Sequence, residues 1–349
     1  MKKRMMALAL TGIMTAGLLA GCGNSSASDS SAAASSSKEA ETASSGAEDA
    51  ASDDVYRISF IVKHTDAHFK KVMAGAEAYA EENGNVEISF VSPTSATMYD
   101  EQQNMIETAL STAEVDAVAI APLMSDTAAT LVSGTDKVIV SFDTDFDAEE
   151  KSAFVGTGNY DAAYAGGKAT VEAAIANGVE HPTVAILTGA QGDETHEARL
   201  NGYSDGVKDA GGDVVEIQYT DAAADKSAIA MEGIMQKYQD GVNVICATAD
   251  EEALGAVKVL QDTNMESYAD TMVCGFDGTQ TALESIQAGA MYMTVAQEGY
   301  QMGYLTIQAC VDVLEGKEVD SYIDSGATLV DSSNVEEYIA SMKEIGVWG

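Results

Sequence analysis

Three aspartates at alternate positions follow an apolar run in the segment KVIVSFDTDFD. Asp143, Asp145 and Asp147 have the spacing with which an EF-hand calcium loop begins, but such a loop also requires glycine at its sixth position and glutamate at its twelfth. Ala148 and Phe154 occupy those positions. We therefore interpret the segment as a strand that delivers carboxylates to the rim of a ligand cleft, with Asp143 placed to accept hydrogen bonds from ligand hydroxyls.

A second group of side chains that could do chemistry lies in the segment HTDAH. Imidazole and carboxylate groups bind zinc, but His64, Asp66 and His68 lie within five residues of one another and supply only part of a coordination shell. His196 and Glu197 lack the second histidine, four residues after the first, that a zinc-protease helix needs. We predict no metal and no other cofactor, and we expect His68 to be a pocket residue.

Covalent catalysis is not indicated by the sequence. The Gly-x-Ser-x-Gly nucleophile elbow and the glycine-rich phosphate and dinucleotide loops are missing from it. Paired carboxylates are compatible with glycoside hydrolysis, so an anchored glycoside hydrolase stays open as an alternative. The chain is nevertheless predicted not to be an enzyme.

The elements that would position these residues alternate between strands and helices from Val55 onward. In the helix predicted from about Asp66 to Glu82, apolar residues recur at helical spacing, and Asn83 and Gly84 end it. Such alternation predicts parallel sheets with right-handed crossovers. Because the pattern runs through two successive rounds, we predict an α/β fold with two similar doubly wound parallel-sheet lobes.

Polar side chains recur where the predicted strands end, in both halves of the chain. Ligands of such sheets bind beyond the carboxyl ends of the strands. The recurrence therefore predicts a cleft between the two lobes, although some of these residues can also cap the following helix. The strand-end residues are Asp66, Asp143, Asn159, Asp250, Asp277 and Gln297.

The first residues resemble a bacterial lipoprotein signal. A basic segment, Lys2 to Arg4, precedes an apolar run, as in export signals, and the run ends in LAGC. We predict a signal peptide at residues 1–21 and lipidation of Cys22. Residues 22–54 are rich in Ser, Ala, Asp and Glu, a composition that is typical of a flexible tether.

The charge and the cysteines narrow the function classes further. The formal net charge is −38, and about −41 without the three basic residues of 1–21. A surface so acidic argues against nucleic acid and against a polybasic grip on lipid. Apart from Cys22 the chain has Cys246, Cys274 and Cys310. A bridge between Cys246 and Cys274 and buried free thiols both remain open, and free thiols are favoured.

Several motifs, in their order and spacing, resemble one family. These are KVMAGAEAYAEENG, VDAVAIAPLMSD, FVGTGNYDAAYAGGKA, ADEEALGAV and VCGFDGT. Together they resemble the substrate-binding lipoproteins of ribose-type sugar ABC importers, which have the type I periplasmic-binding fold. The resemblance implies two lobes joined by a three-crossing hinge that closes over the ligand. The N-terminal lobe would comprise 55–157 plus 298–325, and the C-terminal lobe 158–297 plus 326–349.

The resemblance also implies which residues bind the ligand. Asp66 and Phe69 match the polar and aromatic positions that open the first helix, and His68 stands where a second aromatic residue is usual. Either Glu197 or Arg199 should face the ligand. The other matching positions are Asp143, Asn159, Asp250, Asp277 and Gln297.

At three pocket positions the sequence differs from the ribose-type receptors, and these differences bear on the identity of the ligand. Thr144 stands where ribose-type receptors have arginine, Ala249 where they have asparagine, and an aromatic residue is replaced near Ala224. With less arginine and more acid in the pocket, ribose itself is doubtful. A larger sugar, a polyol or an amine-bearing ligand such as an amino sugar fits better.

We therefore expect a lipid-anchored, extracytoplasmic receptor that binds a sugar or sugar-like molecule and presents it to an ABC permease. The chain should be monomeric, attached to the outer face of the cytoplasmic membrane through lipid alone, in a Gram-positive cell. A sensory lipoprotein that feeds a membrane kinase or chemoreceptor is the alternative receptor function.

Overall fold

The computed structural model describes residues 55–95 and 97–348, so Cys22 and the predicted signal peptide and tether lie outside the described residues. The twelve strands of this part are β1 (Tyr56–Ile61), β2 (Val86–Val91), β3 (Ala117–Ile120), β4 (Val138–Phe142), β5 (Lys151–Gly156), β6 (Thr183–Thr188), β7 (Asp213–Tyr219), β8 (Val244–Ala247), β9 (Met272–Asp277), β10 (Met293–Gln297), β11 (Tyr322–Asp324) and β12 (Ala327–Asp331). Its α-helices are α1 (Ala67–Asn83), α2 (Tyr99–Ser111), α3 (Ser125–Val132), α4 (Asn159–Ala176), α5 (Glu194–Asp209), α6 (Ala224–Lys237), α7 (Asp250–Asp262), α8 (Gln280–Gln287), α9 (Gly299–Leu314) and α10 (Val335–Glu344).

The strands form two six-stranded sheets, and the predicted fold class is confirmed. The first sheet has the order β11-β5-β4-β3-β1-β2 and the second the order β12-β10-β9-β8-β6-β7. All neighbouring strands run parallel except β10 and β12, which pair antiparallel. Parallel strands place their carboxyl ends at one edge of each sheet, where ligands bind in such folds.

The chain passes between the two sheets three times, after β5, after β10 and between β11 and β12. Asp324 ties two of these connections together, because its Oδ1 accepts hydrogen bonds from the backbone N–H groups of Gly158 at 3.0 Å and Gly326 at 2.9 Å. The third connection lies beside them, since Glu298 N donates to Gly326 O at 3.4 Å.

Two details of the sheets differ from the pattern that sequence periodicity predicts. The strand β11 was not predicted, because three residues are too few to show a period. The strand β12 breaks the parallel rule because the chain re-enters the second sheet at the hinge. Ala327 pairs with Gln297, the last residue of β10, so β12 must run back along its neighbour.

Two glycines allow helices α1 and α9 to pack with their backbones in close approach on the first sheet. A Cβ at Gly75 would lie 1.8 Å from the carbonyl oxygen of Tyr300, and a Cβ at Gly303 would lie 1.8 Å from that of Val72. No side chain fits at either position. The packing fixes the orientation of α1, whose first turn carries the predicted ligand residues Asp66, His68 and Phe69.

The three cysteines of the described part are buried and unbridged. Cys246 and Cys274 are paired residues on the neighbouring strands β8 and β9. Burial raises the pKa of the Cys274 thiol to about 11, which disfavours the reactive thiolate. The interpretation as buried free thiols is confirmed.

Candidate functional site

Asp143 is the centre of a polar cluster at the carboxyl edge of the first sheet. It follows β4 in the left-handed backbone region, with φ of 61°. Its Oδ1 lies 2.8 Å from His68 Nε2, and its Oδ2 accepts from Lys63 Nζ at 2.9 Å and from Thr144 Oγ1 at 3.1 Å. A non-glycine residue in this conformation is uncommon and is held by its surroundings.

The Asp143 carboxylate is ionised in this environment. Burial alone would raise its pKa, but the Lys63 ammonium and the hydrogen bond from His68 hold the pKa well below its usual range. An ionised carboxylate only accepts hydrogen bonds, so His68 must carry its hydrogen on Nε2. In the neutral imidazole Nδ1 is then an acceptor, and it has no partner among the described residues.

Lys63 also belongs to the Asp143 cluster, although it was not among the residues predicted from the sequence. Its ammonium contacts both the Asp143 carboxylate and the Thr144 hydroxyl. It therefore supplies a cation beside Asp143 where ribose-type receptors are expected to have arginine at position 144. Its position two residues after Ile61, the last residue of β1, is the feature of the sequence that could have identified it.

The other predicted residues of the first helix have different surroundings. Asp66 caps α1 by accepting from Phe69 N at 2.8 Å, and it lies 3.0 Å from His64 Nε2. Phe69 is buried, with its ring centroid 5.1 Å from that of His68 in an edge-on arrangement. Phe69 therefore supports the His68 ring from within the core.

Arg199 organises a second cluster at the carboxyl edge of the second sheet. Its Nε donates to Asn159 Oδ1 at 2.8 Å, and one terminal nitrogen donates to Asp277 Oδ1 at 3.2 Å. The guanidinium lies over the Phe276 ring, 3.8 Å from its centroid. Gln297 Nε2 also donates to Asp277 Oδ1, at 2.8 Å. The structure thus brings together Asn159, Arg199, Asp277 and Gln297.

The remaining carboxylate oxygen of Asp277 has no hydrogen-bond partner among residues 55–95 and 97–348. Arg199 and Gln297 both donate to Oδ1, and a quarter of the Asp277 side chain is exposed. The hydrogen bonds to Oδ1 fix the orientation of the carboxylate and leave Oδ2 unpaired. Such an oxygen is suited to accept a hydrogen bond from a ligand hydroxyl.

The choice between Glu197 and Arg199 depends on the face of α5 on which each side chain lies. Glu197 accepts from Tyr219 Oη at 3.2 Å and from Gly192 N at 3.3 Å. It is not part of the Arg199 cluster, although it lies only two residues away. Helical residues two apart do not share a face, so Arg199 is the residue that joins the other predicted ligand groups.

Asp250 does not reach the cleft. Its side chain is fully buried, where it accepts from Thr279 N at 2.7 Å and from Thr294 Oγ1 at 2.7 Å. An added Cβ at Gly275 would lie 2.4 Å from Asp250 Oδ1, so the site is closely packed. Asp250 is therefore placed to hold the loop after β9 rather than to contact a ligand.

The aspartates after β4 have different surroundings. Asp145 turns away from Asp143, and its Oδ1 accepts from Ser141 Oγ at 2.7 Å, Phe146 N at 2.8 Å and Lys151 Nζ at 2.6 Å. It braces the loop beside the strand. Of these two aspartates, only Asp143 belongs to the cluster with His68 and Lys63.

A cavity of about 50 Å³ is lined by residues of both clusters. His68 and Lys71 of α1 line one wall, and Asp277 with the start of α8 lines another. The third wall is apolar and includes Leu283, Met342 and Trp348. A concave site with few polar groups in a mostly apolar lining is typical of small-molecule binding.

Asp250 makes the stability of the protein depend on pH. Burial and, to a smaller extent, the nearby charge of Asp277 raise its pKa from 3.8 to about 8, although the hydrogen bonds from Thr279 and Thr294 lower it. The folded protein then keeps a proton that the unfolded chain releases, so the free energy of unfolding falls as the pH rises from about 4 to about 8.

We expect this fall to be smaller for Asp250→Asn than for the wild type, because asparagine does not titrate. Urea unfolding at pH 5 and at pH 8 measures the two slopes. The variant also serves as the control for the general repulsion of an acidic chain, which both proteins share. Equal slopes would mean that Asp250 is ionised in the folded protein throughout this range.

Comparison with known proteins gives a consistent result. Residues 58–318 match the family model described as "Periplasmic binding protein domain". The chain is 34% identical over 142 residues to the ribose import binding protein RbsB of Bacillus subtilis (strain 168), covering 41% of this chain and 45% of that protein. It is 33% identical over 131 residues to the HTH-type transcriptional regulator RegA of Clostridium saccharobutylicum, covering 35% of this chain and 36% of that protein. The chain thus matches less than half the length of these two relatives.

Among solved structures, the chain is similar to GanP, a glucose-galactose binding protein from Geobacillus stearothermophilus. The two share 26% sequence identity with a TM-score of 0.68, over 80% of this chain and 99% of that one. Within the described residues, every helix is too short or too polar to cross a lipid bilayer.

Proposed function

Because the chain belongs to the periplasmic binding protein family, we propose that it is an extracytoplasmic receptor that binds a sugar or sugar-like molecule for an ABC importer. The observation that carries this proposal is the pair of polar clusters around Asp143 and Asp277. Each lies at the carboxyl edge of one sheet, and His68 from one cluster lines the same cavity as Asp277 from the other.

The chemistry of the clusters suits a polyhydroxylated ligand. Asp277 offers an unpaired carboxylate oxygen, and Arg199, Asn159 and Gln297 hold that carboxylate in place. Charged acceptors with fixed orientation give strong and directional hydrogen bonds to hydroxyl groups. The names of RbsB and GanP, which describe a ribose and a glucose-galactose binding protein, support the same ligand class.

Hinge closure is the proposed mechanism. The N-terminal lobe, 55–157 plus 298–325, and the C-terminal lobe, 158–297 plus 326–349, would rotate about the three connections, two of which are held together by Asp324. A ligand that contacts both lobes favours the closed arrangement by its differential affinity. The closed lobes would then offer their combined surface to a permease.

Attachment to the membrane through a lipid on Cys22 is part of the same proposal. It rests on the LAGC segment and on the acidic, Ser- and Ala-rich sequence that follows. Changing Cys22 to alanine should release the protein from a membrane fraction into the soluble fraction. Retention of the variant in the membrane fraction would contradict the lipid anchor.

A thermal-shift screen tests the receptor function. A ligand that binds only the folded state raises the melting temperature, and the rise grows logarithmically with its concentration relative to its Kd. We expect at least one of a panel of pentoses, hexoses, polyols, amino sugars and sugar acids to raise it. Recovery of the unaltered ligand from the complex separates a receptor from a glycoside hydrolase, whereas recovery of a cleaved product would refute the receptor function.

A further inference from the structure

Lys71 is a buried cation without a partner. It lies on α1, is 7% exposed, and lines the cavity next to His68 and Asp277. Among the described residues its ammonium has no hydrogen-bond partner and no carboxylate oxygen within 4.0 Å. Lys71 Nζ is not one of the fully buried unpaired atoms of the described residues, so the ammonium opens into the cavity. Removing a charge from most of its water without supplying a partner is costly, and a ligand anion would offset that cost.

The other charged groups around the cavity already have partners. Asp277 is held by Arg199 and Gln297, and Asp143 by His68 and Lys63. Lys71 thus differs from the neighbouring acids, since its ammonium is left unpaired.

The surrounding acids act on Lys71 only through space. Burial lowers the pKa of its ammonium, whereas the charges of Glu298, Asp277 and Asp66 raise it. Glu298 has its own close contact, because its Oε1 accepts from Thr328 Oγ1 at 2.5 Å. A ligand anion placed in the cavity would provide the direct partner that these acids do not.

The opposite wall of the cavity can hold the remainder of such a ligand. Leu283, Met342 and Trp348 form an apolar surface, and an indole ring packs well against the apolar face of a sugar ring. The cavity measures about 50 Å³, below the roughly 300 Å³ at which small-molecule sites begin, so the two walls must move apart before such a ligand can enter. Asp277 on the same lining can accept from hydroxyl groups.

We propose that the cavity beside Lys71 is an anion subsite of the ligand cleft, and that the ligand is a sugar acid. Its carboxylate would accept a hydrogen bond from Lys71, and its hydroxyl groups would donate to Asp277. The inference rests on the proposed receptor function. It departs from the amine-bearing ligand suggested by the acidic sequence, because an amine in this cavity would face an unpaired ammonium.

Isothermal titration calorimetry with matched sugars tests the subsite. The probes are D-galacturonate with D-galactose and D-glucuronate with D-glucose, at pH 7. We expect the acid of at least one pair to bind tenfold or more tightly than its neutral partner. In Lys71→Gln this preference should fall at least tenfold, since glutamine has no charge. Lys70→Gln is the matched control, because Lys70 is the exposed neighbour on the same helix, and the preference should be unchanged.

A second variant distinguishes the loss of the subsite from misfolding. Lys71→Met removes the buried charge and keeps a long flexible side chain, so it should melt no lower than the wild type and should also lose the preference for acids. Binding of neutral sugars with no preference for acids in the wild type would overturn the subsite and leave the receptor function standing. Failure of the wild type to bind any of the four sugars would overturn the subsite, whereas a response to another sugar in the thermal-shift screen would still support the receptor function.

Discussion

Asp277→Asn is expected to weaken sugar binding by roughly 30- to 1,000-fold, which corresponds to about 2–4 kcal/mol. The substitution removes the charged acceptor that the ligand needs. It also leaves the buried Arg199 guanidinium without its 3.2 Å carboxylate partner. Because the side chain keeps nearly the same shape, the loss would come from charge and hydrogen bonding rather than from a change in packing.

The measurement is calorimetric titration with whichever sugar gives the largest shift in the thermal screen. Asp145→Asn is the matched control, since Asp145 is also an aspartate near a strand end but pairs with Lys151, away from Asp143. It should bind within about twofold of the wild type, because partly exposed ion pairs contribute little. Unchanged affinity in Asp277→Asn would show that the ligand site is elsewhere.

Gly303→Ala is expected to destabilise the protein by about 3 kcal/mol or more, at the upper end of overpacking effects. The new Cβ would lie 1.8 Å from the carbonyl oxygen of Val72. Backbone atoms cannot rotate away as a side chain can, so α9 would have to move off α1. The same shift would displace the first turn of α1, which carries His68 and the neighbouring Lys71.

Urea unfolding of Gly303→Ala and Gly233→Ala separates packing from helix propensity. Gly233 also lies inside a helix, α6, but an added Cβ there meets nothing within 4 Å. Alanine at that position should stabilise the protein by roughly 0.5–1 kcal/mol, because it restricts the unfolded chain and favours the helix. If both variants had the stability of the wild type, the close packing of α1 on α9 would be wrong.

Much of the fold could be predicted from the sequence, because strand and helix periods are local properties. Most predicted elements coincide with observed ones within about two residues, as in α1, where Asp66 and Gly84 mark the two ends. Polar residues at strand ends predicted which edge of each sheet would carry the site. The family relationship, which the match over residues 58–318 supports, was also visible in the order of the motifs.

The assignment of roles to single side chains could not be made in this way. Asp250 follows a strand like Asp277, yet it is fully buried, whereas a quarter of the Asp277 side chain is exposed. The difference comes from the packing of Gly275 and Thr294 around Asp250, which are distant in sequence. Strand-end position alone gives no information about which way the side chain turns.

The sequence by itself determined the α/β class, the two lobes, the positions of the strand ends and the candidate residues, since each follows from local period and residue type. Only the tertiary structure decided that Arg199 rather than Glu197 joins Asp277, that Lys63 supplies the cation beside Thr144, and that Lys71 is buried without a partner. These outcomes depend on contacts between segments far apart in the chain. Such contacts are set by how α1, α9 and the two sheets pack, and no local pattern encodes them.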